Sequence, residues 1–170
     1  MRWWITTDTH FNHEAIKKYC DRPDDCEKRI LKGFEVIKSQ DILIHLGDIC
    51  IGNDAEVHER HINPIKCRKI LVRGNHDRKS TTWYLTHGWD FVCEKFSLKR
   101  CDKQILFSHW PLVWDGYYDI NFHGHFHNAN HRRYEAERKE DMLSSGQRLL
   151  ALEYNHYQLF NLDTQIHKNL

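Results

Sequence analysis

Five times along this chain an apolar stretch runs into a short polar turn. The turns are Asp8-Thr9-His10, Gly47-Asp48, Gly74-Asn75-His76-Asp77, Ser108-His109 and Gly124-His125-Phe126-His127. The stretch before the third, Ile70-Leu71-Val72, is β-branched and short, so it reads as a buried strand, and Gly74 allows the backbone to turn sharply at its end. One such turn is an ordinary strand-to-helix cap. Five of them allow five strand ends to converge on one polar site, and the fold has to accommodate that convergence.

The intervening sequence supplies the elements. Arg2 to Thr7 reads as a strand that delivers Asp8 and His10 two positions apart, on one side of an extended backbone. Asn12 is placed to cap a helix carrying Ala15, Ile16 and Tyr19, which Arg22-Pro23 breaks. Asp24 or Asp25 opens a second helix with Ile30, Leu31, Phe34, Val36 and Ile37 as its apolar stripe. A strand over 42–46 holds His45, expected to be a satisfied core histidine. Residues 53–63 and 78–86 read as helices, with a strand from Lys69 to Arg73 between them. From Trp89 the texture is β: Phe91-Val92, Phe96 to Leu98, Gln104 to Phe107 after a turn over Arg100 to Lys103, then Ile120 to His123. Leu149 to Tyr154 and Tyr157 to Leu162 read as a closing β-hairpin. Residues 128–148 are dense in charge and read as a solvated insertion. Strand and helix alternate in the early half and strands dominate the later half, which predicts a sheet-on-sheet core with helices outside, in one domain over 1–170.

Composition narrows the function. The formal net charge is +1, which gives no case for a protein that coats nucleic acid or lies on a membrane surface. The first residues lack the apolar core of a signal peptide, and no uncharged run approaches a membrane span, so a cytoplasmic location is expected. Six cysteines form no C-x-x-C pair, and six free thiols are expected. Fourteen histidines are the outlier, since imidazole is the commonest metal ligand. Asp8, His10, Asp48, Asn75, His76, His109, His125 and His127 together make an oxygen and nitrogen donor set without thiolates, suited to Mn²⁺, Fe or Zn²⁺. The set is too large for one tetrahedral ion and large enough for two ions sharing a carboxylate, a standard device for phosphoester hydrolysis. Two such ions against two carboxylates leave surplus positive charge, which favours a bound hydroxide and an anionic phosphoryl group.

D-x-H, G-D, G-N-H-D, S-H and G-H-x-H in this order resemble the motifs of the calcineurin-like metallophosphoesterases, from Asp8 to His127. Asp8 to His13, with Arg22-Pro23 after it, is similar to a compact bacterial and phage phosphoesterase subgroup, from which the charged segment 128–148 departs. The resemblance implies an α/β (α+β) fold, a β-sandwich of two mixed sheets flanked by helices, with metals at one sheet edge. It implies two divalent ions, Mn²⁺ first and Fe, Zn²⁺ or Ni²⁺ as alternatives. Asp8, His10 and His127 would hold one together with Asp48, which would bridge to a second held by Asn75, His109 and His125. His76 would be the general acid, and a phosphodiester or phosphomonoester would be hydrolysed by in-line attack of the hydroxide.

Substrate contacts are expected from His13, from the guanidinium groups of Arg22 and Arg73, which can each contact two phosphate oxygens, and from the aromatic loop after His109, with Trp110, Trp114 and Tyr117 as a stacking wall. Plain packing is the alternative for the aromatic residues, and a structural role for Arg73. The expected partner is a small phosphorylated substrate of the nucleotide or cyclic-nucleotide kind, with no membrane. A nuclease acting on nucleic acid and a non-catalytic scaffold subunit are the competing readings. No oligomeric state follows from the sequence.

Overall fold

The computed structural model describes residues 1–113, 115–128 and 146–168. Its first sheet contains β1 (Trp3–Thr6), β2 (Ile42–His45), β3 (Arg68–Val72), β4 (Phe91–Cys93) and β9 (Phe160–Asn161), in the order β4-β3-β2-β1-β9. The first four run parallel to their neighbours, and β9 is antiparallel to β1. The second sheet has the order β5-β6-β7-β8, from β5 (Lys95–Arg100), β6 (Lys103–Ser108), β7 (Ile120–His123) and β8 (Gln147–Leu149). Here β5 is antiparallel to β6, while β6, β7 and β8 are parallel. One apolar cluster draws on both sheets, with Ile5, Leu43, Ile44 and Leu71 from the first and Ile105, Phe107, Ile120 and Phe122 from the second. This is the two-sheet α/β sandwich that the motifs implied.

Strands β2 and β7 are buried at every position, so both faces are covered: β2 opens with the apolar run Ile42-Leu43-Ile44, while β7 buries Asn121 and His123 beside Ile120 and Phe122. The α-helices among the described residues are α1 (Glu14–Tyr19), α2 (Cys26–Phe34), α3 (Asp54–Val57), α4 (Thr81–Thr86) and α5 (Leu162–His167). Among the described residues no helix is long and apolar enough to cross a membrane.

Three expectations are corrected. Helix α2 stops at Phe34, so Val36, 47% exposed, is not part of its buried stripe. The helix over 53–63 is interrupted, α3 passing into a π-helical turn at His58–Ile62. The closing hairpin does not form. Leu150, Ala151 and Leu152 are buried in succession rather than in alternation, Leu152–Asn155 is a 3₁₀ turn, and His156 and Tyr157 take left-handed backbone angles of 51° and 62°. The chain thereby leaves the second sheet at β8 and rejoins the first at β9, where Phe160 pairs with Ile5. The expected core role of His45 is met. It is fully buried, its Nδ1 accepts from the Gly47 amide at 3.1 Å, and its Nε2 lies 3.0 Å from Thr9 Oγ1. Burial drives its pKa down to about 3, so it stays neutral.

Candidate metal centre

Parallel strands bring their carboxyl ends to one side, and in both sheets that side carries the polar turns. The register continues past the strands. The amides of Asp8, His10 and Phe11 donate to the carbonyls of Gly47, Asp48 and Ile49, at 2.8, 3.1 and 2.9 Å. The Gly124 amide donates to His109 at 3.1 Å, tying the two turns of the second sheet. Glycine recurs in the motifs because the turns touch. A Cβ on Gly74 would collide with the carboxylate and amide of Asp48, and one on Gly124 with Thr7 Oγ1 and the Asp8 carboxylate. Asp77, buried, accepts from the amides of Asp48 (2.8 Å), Ile49 (3.1 Å) and Gly74 (2.7 Å). One carboxylate thus staples the second and third motifs together. The sequence reading missed this role, although Asp77 stood inside the third turn.

Two donor clusters result. In the first, Asp8, His10 and His127 point ligand atoms at one another, all three buried. Asp8 Oδ2 is committed to Thr7 Oγ1 (2.5 Å) and the His125 amide (3.0 Å). Asp8 Oδ1 has no hydrogen-bond partner among the described residues, and neither has His10 Nε2, 3.9 Å away. His127 Nε2 lies 3.6 Å from the same oxygen. In the second cluster, His109 Nε2, His125 Nδ1 and Asn75 Oδ1 form a triangle with all three sides 3.1 Å. His109 Nδ1 stands 2.7 Å from the Leu46 carbonyl and must donate to it, which leaves the Nε2 lone pair facing inward. Asp48 joins the clusters: its Oδ2 lies 3.6 Å from His10 Nε2 and 3.4 Å from His109 Nε2.

Both clusters fit a divalent cation. Donors about 2.1 Å from an ion and at right angles stand about 3.0 Å apart, close to the sides of the second triangle. Buried polar atoms without partners are costly, and in the first cluster Asp8 Oδ1 and His10 Nε2 face one another without one, an arrangement that a cation would satisfy. The titration behaviour agrees. Burial pulls both His109 and His127 down, yet the Asp48 hydrogen bond with the charges of Asp8 and Asp48 holds His109 up at about 9, and Asp8 together with Glu153 holds His127 up at about 10. The carboxylates thus draw positive charge into the site, and protons stand where metal ions would compete.

A layer behind the first cluster was also missed. Glu153 Oε1 lies 3.1 Å from His127 Nδ1 and accepts from Arg22 Nε at 2.9 Å. Nothing at residue 153 signals this contact, since the histidine it serves is 26 positions away across the charged segment. Arg22 was expected to hold phosphate. Its side chain is instead fully buried, donating to the carbonyls of Asp8 (2.7 Å) and Thr9 (3.1 Å) as well as to Glu153. The expectation for Arg73 is corrected in the same way: its guanidinium donates to the Asp77 carbonyl (3.0 and 3.3 Å) and pairs with Glu94 (3.2 Å).

Of the remaining expected residues, His76, His13 and Trp110 lie beside the clusters. The His76 amide donates to Asp48 Oδ1 at 2.8 Å, while its side chain, 29% exposed, holds Nε2 3.9 Å from Asp48 Oδ2. The ring of His13 lies 6.3 Å from that of His76, with its Nδ1 3.2 Å from His10 Nδ1. The Trp110 ring packs on His125, centroids 3.3 Å apart. Tyr117 is 82% exposed and borders a separate cavity of about 250 Å³ with Lys95 and Leu112, which contains none of the cluster residues. Trp114 and positions 129–145 of the charged segment lie outside the described residues.

Comparison with known proteins agrees with the motifs. The model of the calcineurin-like phosphoesterase family matches residues 1–164. An uncharacterised protein of Methanocaldococcus jannaschii, MJ1445, is 31% identical over 75% of this chain and 70% of its own. A protein of unknown function from Aquifex aeolicus, AQ665, superposes with a TM-score of 0.74 over 97% of both chains at 26% identity. The Pseudomonas putida nuclease MPE superposes at 0.51, over 74% of this chain and 62% of its own, with 20% identity, a likeness of fold alone.

Proposed function

The chain belongs to the calcineurin-like phosphoesterase family, and on that premise we propose that it hydrolyses a phosphoester, preferentially a diester of nucleotide type, with two divalent ions. The observation that carries this reading is the pair of donor clusters joined by Asp48, their carboxylates and imidazoles buried, with His76 partly exposed beside them. Asp8, His10 and His127 would hold one ion, Asn75, His109 and His125 the other, and Asp48 both. When bound, the ions would neutralise the phosphoryl oxygens and lower the pKa of water. Mn²⁺ is the first choice for such an oxygen and nitrogen set, with Fe, Zn²⁺ and Ni²⁺ also compatible.

His76 does the work that ions do not. As a general acid it gives a proton to the departing oxygen while the P–O bond to that oxygen breaks and a water oxygen bonds to phosphorus. The water's proton passes to solvent, from which His76 is recharged. The hydrogen bond from its backbone amide to Asp48 fixes the main chain, and its exposure leaves the ring accessible to substrate. A non-catalytic scaffold has no need of a complete donor set beside an accessible histidine, so the hydrolase reading is favoured. The test is hydrolysis of bis(4-nitrophenyl) phosphate and 4-nitrophenyl phosphate by metal-stripped protein reconstituted with each ion in turn, with the metal counted on the same sample. Turnover that rises with occupancy to two ions per chain is expected. Two bound ions with no turnover on any ester would leave the scaffold reading standing.

A further inference from the structure

The guanidinium groups expected to grip phosphate are occupied elsewhere, so the substrate must be held by other residues. A cleft of about 470 Å³ opens beside the metal centre, lined among others by His13, His76, Arg78, Lys79, Cys50 and Asp54. It falls within the size range of small-molecule sites. Arg78 and Lys79 follow His76 after the buried Asp77, and both are exposed. Arg78 makes no hydrogen bond or ion pair among the described residues, and the Lys79 ammonium lies 5.8 Å over the Trp83 ring rather than against a carboxylate. Among the described residues Asp54 is the one carboxylate lining the cleft. Two uncommitted cations against one acid make it a place for an anion.

We infer that the departing half of the substrate lies in this cleft and carries a phosphate of its own, gripped by Arg78 and Lys79. The inference rests on the proposed hydrolysis in one respect: the proton donor His76 must face the departing oxygen, and the cleft lies on the His76 side. The substrate class is then a phosphodiester with a second phosphate one nucleoside away, as in a terminally phosphorylated dinucleotide or a nucleic-acid strand. Arg78 supplies a planar fork for phosphate oxygens and Lys79 a mobile point charge. These are specificity residues. They contact the far phosphate rather than the reacting one.

The test compares the dinucleotide TpT with the same dinucleotide carrying a terminal phosphate at either end. The native protein with Mn²⁺ is expected to prefer one of the phosphorylated forms in kcat/KM by at least tenfold. In the double variant Arg78→Ala, Lys79→Ala that preference ratio should fall to about one, and in Asp54→Asn it should rise. Equilibrium binding of a fluorescent phosphorylated dinucleotide to metal-free protein provides a readout independent of turnover, with Kd at least tenfold weaker in the double variant. A preference ratio and Kd unmoved by the double variant overturn the subsite, whether or not esters are hydrolysed. A Kd at least tenfold higher in the double variant, with no ester hydrolysed by the native protein, supports the subsite and overturns the hydrolase reading instead. A twelve-nucleotide thymidylate run alongside separates the two sources of the phosphate: a higher kcat/KM than the dinucleotide's assigns a strand, a lower one a small molecule.

Discussion

The two donor clusters hold their histidines in different ways. His109, in the second, is oriented by the main chain, through the Leu46 carbonyl just past β2 in the opposite sheet, and its companion Asn75 is exposed. His127, in the first, is oriented by a side chain, Glu153, which is itself held by Arg22. One cluster is therefore as secure as the sheet, while the other depends on a buried ion pair between distant parts of the chain. Buried pairs of this kind contribute little net stability while intact, but leave an uncompensated charge when one partner is removed. The first cluster should accordingly respond to changes well away from the ions, and the second should not.

The largest expected effect removes what the clusters share. Asp48→Asn should cost at least one ion per chain and more than about 10³-fold in turnover, measured by metal analysis and rate on one preparation. Two ions and a near-native rate would show that the clusters do not depend on a common carboxylate. His76→Ala should leave both ions in place and lose about 10²–10⁴-fold on an alkyl diester, but much less on a nitrophenyl ester, whose leaving group needs no proton. Equal losses on both substrates would remove the general-acid role.

The next change addresses the comparison itself. Glu153→Gln should weaken one of the two ions by about 10–100-fold and leave the other, read by chelator competition. Equal weakening of both would make the clusters a single unit. The same variant carries a pH signature. Burial raises the Glu153 carboxyl, but the hydrogen bond from His127 and the charge of Arg22 bring it down to about 2 from an ordinary 4.5. A depressed acid stabilises the fold fully above its unfolded pKa and loses that contribution as pH falls toward the folded one. In metal-free protein, the denaturant midpoints of wild type and Glu153→Gln should differ most above about pH 5 and draw together as pH falls from about 4.5 to about 2. Trp110→Ala should have the smallest effect. Its ring packs on His125, with the rings of His109 and Phe126 farther off, and a lost aromatic contact is worth about 0.5–1.5 kcal/mol, or about 2–10-fold in affinity for the second ion, with the first unchanged.

The same division decides what could be read in the sequence. Strands β1 to β7 and the polar turns that end them were legible, because each is specified by a local apolar run and the residues just beyond it. The closing segment was not. Leu149 to Leu162 has the composition of a hairpin, but Phe160 pairs with Ile5, on the other sheet and at the other end of the chain, and no local pattern encodes that partner. Arg22 and Arg73 misled for a related reason. An arginine near a site reads as a phosphate ligand until its acceptors are known, and here those are the carbonyls of Asp8, Thr9 and Asp77. Glu153 was invisible on the same ground, while Asp77 was visible as a residue and only its three amide partners were not.

Asp8, His10, Asp48, His125 and His127 all have positive φ, between 48° and 69°. Only glycine enters this region freely, and asparagine and aspartate do so at little penalty because their short polar groups bond to the nearby chain. An alanine scan of these positions would therefore report two quantities at once, the missing donor atom and a main chain relaxing out of an unfavourable conformation. Asparagine keeps the conformation and changes the chemistry. For the two aspartates, the amide series separates ligand loss from local collapse, and the gap between the alanine and asparagine results at Asp8 or Asp48 would itself measure how firmly the surrounding turns impose the shape of the site.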